Sequence, residues 1–326
     1  MVRSCWIRSL AMTKIPVIQY LPLTRPRATA RLAKQLAGSG VMSILDLEDS
    51  AQDPFDMGVT RELKREARNG LLRISEKRDW PASARMYIRI NATSTDFFEE
   101  DVETVITACQ NEMPITGVFL PKVETYAQVE SLNSKLSAAS GSLEIVPMIE
   151  TVVGMKNVAE VLEQDQMADL CPHVHYGHFD YCYDADIWPF PDPCHHDFWD
   201  IITPLLDILS IYNKTYIHTP FPFPEDYQLF WSSSDHASNI ISSLEVWACT
   251  LNAELSFSEP PEAPIPLACF DRDMSEDALV NEARTISDDF LGGRARKRSF
   301  GISRGRFVPP HQFLTAQRYL KAHGAD

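Results

Sequence analysis

Charged and polar side chains follow five successive apolar segments of the chain, at the points where those segments end. They are Asp46, Glu48, Asp49, Arg89, Asn91, Lys122, Glu124, Glu150 and Asp180. From Arg89 onward they recur after 33, 28 and 30 residues (89 to 122, 122 to 150 and 150 to 180). Each interval is about the length of one strand and helix unit, so the pattern predicts that these side chains meet at one end of a sheet.

Two of these carboxylates, Glu150 and Asp180, are candidate ligands of a divalent metal ion. Mg²⁺ prefers oxygen ligands and often takes only one or two protein carboxylates, with water and substrate oxygens completing its coordination. Mn²⁺ is the alternative ion. The planar guanidinium of Arg89 is suited to binding a substrate carboxylate. The competing interpretation is that the charged residues are separate, solvated loop positions.

Apolar, β-branched segments alternate with helical patterns along most of the chain. The predicted strands are 15–20, 41–47, 85–90, 117–121, 143–149, 172–179, 214–219 and 253–259, with a helix over 238–251 before the last of them. Alternating strands and helices are typical of parallel sheets, and eight such units favour a closed (β/α)8 TIM barrel. In that fold the carboxyl ends of all strands lie on one face, where active sites are built.

Three parts are expected along the sequence. Residues 1–14 form an N-terminal extension, 15–266 the catalytic barrel and 267–326 a C-terminal helical extension, or lid. The proline-rich segment 260–266 separates the last two parts.

The composition favours a folded, acidic protein. Of the 326 residues 44% are hydrophobic, and 30 basic against 45 acidic side chains give a net charge of −15. This excess of acid disfavours nucleic-acid binding, which relies on Lys and Arg, and no apolar stretch is long enough to span a membrane. Seven cysteines without a CxxC pair favour a reducing compartment over a disulfide framework, so a cytoplasmic location is expected.

Several short strings of the chain resemble the citrate lyase beta subunit-like group of the HpcH/HpaI aldolase superfamily. They are LPLTRPRA (21–28), ILDLEDSAQDP (44–54), YIRINA (87–92), VFLPKVE (118–124), PMIETVVGMKN (147–157) and YGHFDY (176–181). The run GISRGRFVPPHQFLTAQRYL (301–320) is similar to the lid segment of that family. The resemblance implies a Mg²⁺-dependent (β/α)8 barrel that makes or breaks a carbon–carbon bond.

The resemblance also implies roles for individual residues. By the family pattern Glu150 and Asp180 bind the metal, and Arg89 contacts the substrate and its developing enolate. Family members are usually homo-oligomers, so a trimer or a hexamer is expected.

Further expectations concern the loops after the first two strands. Asp46, Glu48 and Asp49 match the acidic family motif that supports metal-bound water, and we expect Glu48 or Asp49 to hold the water that acts as general base. Arg25 matches an arginine of the first strand–helix loop, near which coenzyme A phosphates or substrate often lie.

Two more residues are expected to line the substrate pocket: Lys122 after the fourth strand and His178 in the sixth. For His178 the alternative is a hydrogen-bonded histidine in the core. If the sixth strand runs on to Asp180, alternation places His178 on the same side as that carboxylate. The lid segment departs from coenzyme A-dependent members of the family, because Val308 and Pro309 stand near the position where those members often carry an aspartate. The departure disfavours thioester chemistry by an aspartate at that place.

The predicted function is a Mg²⁺-dependent carbon–carbon lyase or aldolase. It would act on a small 2-keto or 3-hydroxy acid, or on the coenzyme A thioester of such an acid, through a metal-stabilised enolate. Two alternatives stay open. One is a hydrolase of a malyl- or citramalyl-type thioester, and the other is a barrel without catalytic activity that serves as a binding subunit.

Overall fold

Eight short parallel strands close into a barrel in which each strand pairs with its neighbour in sequence and the first pairs with the eighth. The computed structural model describes residues 15–77, 79–140, 142–164, 166–263, 266–295 and 300–325, so the N-terminal extension expected for 1–14 lies outside the described residues. The predicted (β/α)8 architecture is confirmed.

The barrel strands are apolar on both faces, as expected for parallel strands that are covered by helices. They are β1 (Val17–Pro22), β2 (Met42–Asp46), β3 (Met86–Arg89), β4 (Ile115–Leu120), β5 (Glu144–Ile149), β6 (His173–Tyr176), β7 (Thr215–Pro220) and β8 (Val246–Thr250). Inward side chains such as Tyr20, Tyr87 and Phe119 fill the barrel with edge-to-face aromatic contacts. Outward side chains pack against the helices.

Helices follow each strand and form the outer layer. They are α1 (Pro26–Gly38), α2 (Met57–Ser75), α3 (Phe98–Gln110), α4 (Tyr126–Ser140), α5 (Val152–Leu162), α6 (Met167–Leu170), α7 (His178–Asp184), α8 (His196–Ile211), α9 (Tyr227–Ile240) and α10 (Ala253–Phe257). Side-chain caps fix several helix starts, for example Asp56, whose carboxylate accepts hydrogen bonds from the amides of Gly58 and Val59.

The predictions for the eighth strand and the helix before it were wrong. The strand β8 is Val246–Thr250, inside the segment predicted as a helix, and residues Ala253–Phe257 of the predicted strand form the short helix α10. The side chain of Asn252 caps α10 by accepting a hydrogen bond from the amide of Glu254. This cap turns the chain into a helix directly after β8.

The C-terminal segment folds back over the face of the barrel where the strands end. It consists of α11 (Glu276–Ala295), the hairpin strands β9 (Gly301–Ser303) and β10 (Arg306–Val308), and α12 (Pro310–Ala322). Its contacts with the loops after β2, β6 and β7 include Arg294 with Asp53 at 2.9 Å, Arg306 with Asp192 at 3.0 Å, and the amide of Phe307 with the carbonyl of Pro222 at 2.7 Å. The segment therefore covers the end of the barrel where the charged residues lie.

Among the residues that the structure describes, no helix combines the length and the apolar character that crossing a bilayer requires.

Candidate active site

The acidic loop after β2 is organised around Arg89, the last residue of β3. Asp46 ends β2 and lies beside Arg89 in the register of the two strands. The guanidinium of Arg89 donates from Nε and Nη2 to the two carboxylate oxygens of Asp46, both at 2.7 Å. Its Nη1 lies 2.8 Å from Asp49 Oδ2 and 2.9 Å from Glu48 Oε2. One guanidinium thus holds three carboxylates together.

The backbone of the same loop is fixed from two sides. The carboxylate of Asp46 accepts hydrogen bonds from the amides of Glu48 at 3.0 Å and Ser50 at 2.9 Å, which closes the turn. From α2, the buried ammonium of Lys64 donates to the carbonyl of Glu48 at 2.6 Å and to that of Leu47 at 3.1 Å. These contacts place the side chain of Glu48 toward the centre of the barrel mouth.

A second group of charged side chains comes from the ends of β4, β5 and β6. The ammonium of Lys122 lies 2.7 Å from Asp180 Oδ1, 3.6 Å from Glu48 Oε1 and 3.9 Å from Glu150 Oε1. The backbone amide of Lys122 also donates to Glu150 Oε1 at 3.0 Å. Glu150 directly follows β5, and Asp180 lies in the first turn of α7.

Glu150 is the most deeply buried acid of the group, with 1% of its surface exposed. Its carboxylate lies where Gly177 has no side chain, since a Cβ atom at Gly177 would stand 2.0 Å from Glu150 Oε2. Thr151 follows immediately and caps α5 by accepting a hydrogen bond from the amide of Gly154 at 2.9 Å. The end of β5, the cap of α5 and a glycine after β6 together define the position of this carboxylate.

Burial and mutual repulsion set the protonation of the acids. Burial, with the charge of Asp180 as the next cause, raises the pKa of Glu150 well above its usual range. Burial, followed by the charge of Asp49, raises the pKa of Glu48 to about 7. The pKa of Asp49 is lowered despite burial, because the charge of Arg89 favours its ionised form.

The donor set fits a hard divalent cation. In the described part of the chain, no group of three or more His, Cys, Asp or Glu side chains is arranged to hold a metal ion. The candidate site is the pair Glu150 and Asp180, whose carboxylate oxygens lie 3.9 Å and 2.7 Å from the ammonium of Lys122. Mg²⁺ is commonly bound by one or two protein carboxylates. The ammonium of Lys122 among Glu48, Glu150 and Asp180 shows that these oxygens already surround a positive charge. Burial disfavours the ionised form of Glu150, and a nearby positive charge stabilises that form.

One residue of the site was missed by the sequence analysis. His311, in the first turn of α12, lies with Nε2 3.3 Å from Asp180 Oδ1, and its ring packs edge-to-face on Tyr183 at 5.6 Å between centroids. A positive charge on His311 would add to that of Arg89 in lowering the pKa of Asp49. The Pro-His pair in the lid-like run 301–320 was the available signal.

Seven of the nine predicted site residues come together at the barrel mouth: Asp46, Glu48, Asp49, Arg89, Lys122, Glu150 and Asp180. Arg25 lies at the same end of the barrel, where its backbone precedes α1, and is exposed to solvent.

His178 lies away from this group. The strand β6 ends at Tyr176 rather than running on to Asp180, so the predicted alternation does not apply and His178 begins α7. Its Nε2 lies 2.7 Å from the carbonyl of Pro191, and its ring packs on Phe198 at 4.9 Å. Burial lowers the pKa of His178 to about 3. His178 is therefore a neutral, hydrogen-bonded histidine that lies between β6 and α8.

The chain is similar in sequence to a citramalyl-CoA lyase and to a citrate lyase subunit beta-like protein. The mitochondrial citramalyl-CoA lyase of Homo sapiens is 27% identical over 128 residues, which are 37% of this chain and 34% of that protein. A citrate lyase subunit beta-like protein of Deinococcus radiodurans is 30% identical over 128 residues, 38% of this chain and 40% of that protein. The matched region thus spans little more than a third of the length of these curated relatives.

A solved structure of protein CitE from Mycobacterium tuberculosis, in complex with magnesium, acetoacetate and coenzyme A, superposes with a TM-score of 0.53 at 19% identity. The superposition covers 96% of this chain and 99% of that one. At this identity the likeness shows a shared fold. Residues 20–187, just over half of the chain, match the model of the HpcH/HpaI aldolase/citrate lyase family, and the chain therefore belongs to that family.

Proposed function

We propose that this protein is a Mg²⁺-dependent carbon–carbon lyase or aldolase that acts on a small carboxylic acid. The observation that carries the proposal is the pair Glu150 and Asp180 at the mouth of the barrel, facing a lysine and an arginine-bound acidic loop. Family membership supports the reaction type. A site of this composition combines a cation-binding carboxylate pair with a group that can accept a proton.

Each part of the site has a distinct task in such a reaction. Glu150 and Asp180 would hold Mg²⁺, with Mn²⁺ as an alternative, and when bound the cation would supply positive charge where negative charge builds up on the substrate oxygen. Arg89 keeps Asp46 and Asp49 ionised and in place. Because its three nitrogens already contact carboxylates, its main action is to position the acidic loop.

Of Glu48 and Asp49, which are expected to hold the water that acts as general base, Glu48 is the better candidate to take up the proton from that water. Its pKa, raised by burial to about 7, matches the pH at which the carboxylate can accept and return a proton. Asp49 has a lowered pKa and is therefore a poor proton acceptor. Glu48 Oε2 is held by Arg89 Nη1, while Oε1 points toward Lys122 and the carboxylate pair.

The relatives suggest two forms of substrate. The names of the human and bacterial relatives point to a 3-hydroxy acid, free or as a coenzyme A thioester. The CitE structure with acetoacetate and coenzyme A supports the thioester. Against it stands the segment 305–311, where Val308 and Pro309 replace the aspartate expected of thioester-cleaving members. The free acid and its coenzyme A thioester should therefore both be tested as substrates.

The test is product formation by the purified protein with Mg²⁺. Cleavage of citramalyl-CoA would release pyruvate and acetyl-CoA, and cleavage of a free 3-hydroxy or 4-hydroxy-2-keto acid would release a keto acid that can be measured in the same way. Glu150→Gln and Asp180→Asn should abolish turnover, whereas Glu160→Gln on the exposed face of α5 serves as the matched control.

The alternatives give different products. Release of free coenzyme A without pyruvate identifies a thioester hydrolase, and no turnover with carboxylate binding intact identifies a binding subunit. Assembly as a trimer or hexamer and a cytoplasmic location remain predictions of the same family resemblance and of the cysteine content.

A further inference from the structure

The ammonium of Lys122 lies among the carboxylates to which the proposed function assigns the metal ion. It is 2.7 Å from Asp180 Oδ1, 3.9 Å from Glu150 Oε1 and 3.6 Å from Glu48 Oε1. A divalent cation held by Glu150 and Asp180 would have to use the same oxygens. Two cations at one set of oxygens repel each other strongly in a poorly solvated site.

We propose that Lys122 is a built-in counter-cation that neutralises the carboxylate group in the absence of a metal ion and competes with the divalent ion for it. The proposal rests on the proposed function, because it takes Glu150 and Asp180 as the metal ligands. It assigns to Lys122 a task other than the substrate contact expected from the sequence. The lysine would keep the apo protein folded and set how tightly the ion binds.

The accessibility of the partners supports an exchange of cations. The side chains of Glu150, Glu48 and Asp180 are 1%, 9% and 11% exposed, whereas that of Lys122 is 39% exposed. The acids are therefore built into the barrel, and the lysine reaches them from the solvent side. Exchange of the ammonium for a metal ion would therefore require movement of the lysine side chain and not of the buried acids.

The backbone at Lys122 shows that this placement is enforced. Its φ angle is +54°, in the left-handed region that residues other than glycine and asparagine seldom adopt. The amide of the same residue donates to Glu150 Oε1, so the backbone of Lys122 as well as its ammonium contacts the proposed metal-binding carboxylates.

The acids around Lys122 favour the charged form of its side chain. Burial opposes the charge, but Asp180, Glu48 and Glu150 more than offset it and raise the pKa of Lys122 above its usual range. Removal of this charge leaves three neighbouring acids without their central cation. The apo protein should then be less stable, and a divalent ion should bind more tightly.

Isothermal titration of Mg²⁺ into the wild-type protein, Lys122→Met and Lys135→Met tests the proposal at one ionic strength near 0.15 M. Lys135→Met removes the same charge from an exposed ion pair between Lys135 on α4 and Glu99 on α3, and is the matched control. We expect Lys122→Met to bind Mg²⁺ at least ten-fold more tightly than the wild type and Lys135→Met to bind it equally well. Thermal melting should show a lower melting temperature for metal-free Lys122→Met and a larger increase on addition of Mg²⁺.

The outcomes separate this proposal from the proposed function. Equal or weaker binding by Lys122→Met, with binding by the wild type intact, overturns the counter-cation and leaves the metal site standing. Binding by neither protein overturns both. If Lys122→Met is unfolded without metal, Mg²⁺ should restore its fold, and failure to do so counts against the proposal. Lys122→Gly, which suits the left-handed backbone, provides a second variant for the same titration.

Discussion

Arg89 and Asp46 form a bidentate pair between adjacent barrel strands, with Nε–Oδ1 and Nη2–Oδ2 distances of 2.7 Å. Both side chains are more than nine-tenths buried. The pair is in register at the ends of β3 and β2, and the remaining nitrogen of the guanidinium reaches Glu48 and Asp49. The acidic loop of the site therefore depends on one buried arginine.

Removal of this arginine should destabilise the protein as well as inactivate it. Arg89→Met leaves Asp46 buried without its partner, and breaking a buried pair in this way costs roughly 3–5 kcal/mol. Urea denaturation should show a loss of that size, together with loss of turnover. The double variant with Asp46→Asn should regain part of the lost stability. Wild-type stability in Arg89→Met would contradict the buried pair.

Gly177 should be required for metal binding. A Cβ atom there would meet Glu150 Oε2 at 2.0 Å and Glu150 Cβ at 2.6 Å, so Gly177→Ala must displace the carboxylate. We expect the affinity for Mg²⁺ to fall at least about ten-fold, in line with the effect of disturbing residues around metal ligands. Gly38→Ala is the control, because a Cβ at Gly38 meets no atom within 4 Å. Equal affinities in the two variants would show that Glu150 is not a ligand.

His311 should link the C-terminal segment to the reaction. Its contact with Asp180 is of the kind that contributes roughly 1.5–3 kcal/mol, or about 10- to 100-fold in kcat/KM if the contact acts in the transition state. His311→Ala should lower kcat/KM by about that factor, and it should also lower the melting temperature, because the same contact stabilises the folded protein. His323→Ala, near the end of the same helix, is the control. Equal activity of both variants would remove His311 from the site.

His178 should affect stability in a pH-dependent way. Burial lowers its pKa from 6.5 to about 3 in the folded state, so the unfolded chain takes up a proton below pH 6.5 that the folded chain does not. The stabilisation by His178 is therefore present at pH 7.5 and lost as the pH falls. The loss of stability on His178→Gln should be smaller at pH 5 than at pH 7.5 by about 2 kcal/mol. Chemical denaturation at both pH values checks this, and a pH-independent difference would contradict it.

Seven strands were predictable because each is a short β-branched segment bounded by a helix pattern. The eighth was missed because Val246–Thr250 is preceded by 238–245, whose apolar spacing resembles that of a helix. Local pattern does not distinguish a buried strand from a helix when the segment is that short. The pairing of β8 with β1 and β7 decides the conformation.

The convergence of the charged residues was also predictable, because parallel strands of a barrel end on one face. Their partners were not. The strand β6 has only four residues, and His178 therefore starts a helix. This early end of the strand depends on Gly177 and on the contact of His178 with Pro191. His311 reaches Asp180 from a segment far along the chain, and a contact of that kind is set by how α12 packs on α7.

Anomalous diffraction from crystals soaked in Mn²⁺ tests the central claim most directly. One peak is expected at the barrel mouth, about 2.2 Å from carboxylate oxygens of both Glu150 and Asp180, as first-row ions bind such ligands. The same soak of Glu150→Gln should show no peak. A peak at another position, or none in the wild-type crystal, would contradict the assignment of these two carboxylates as the metal site.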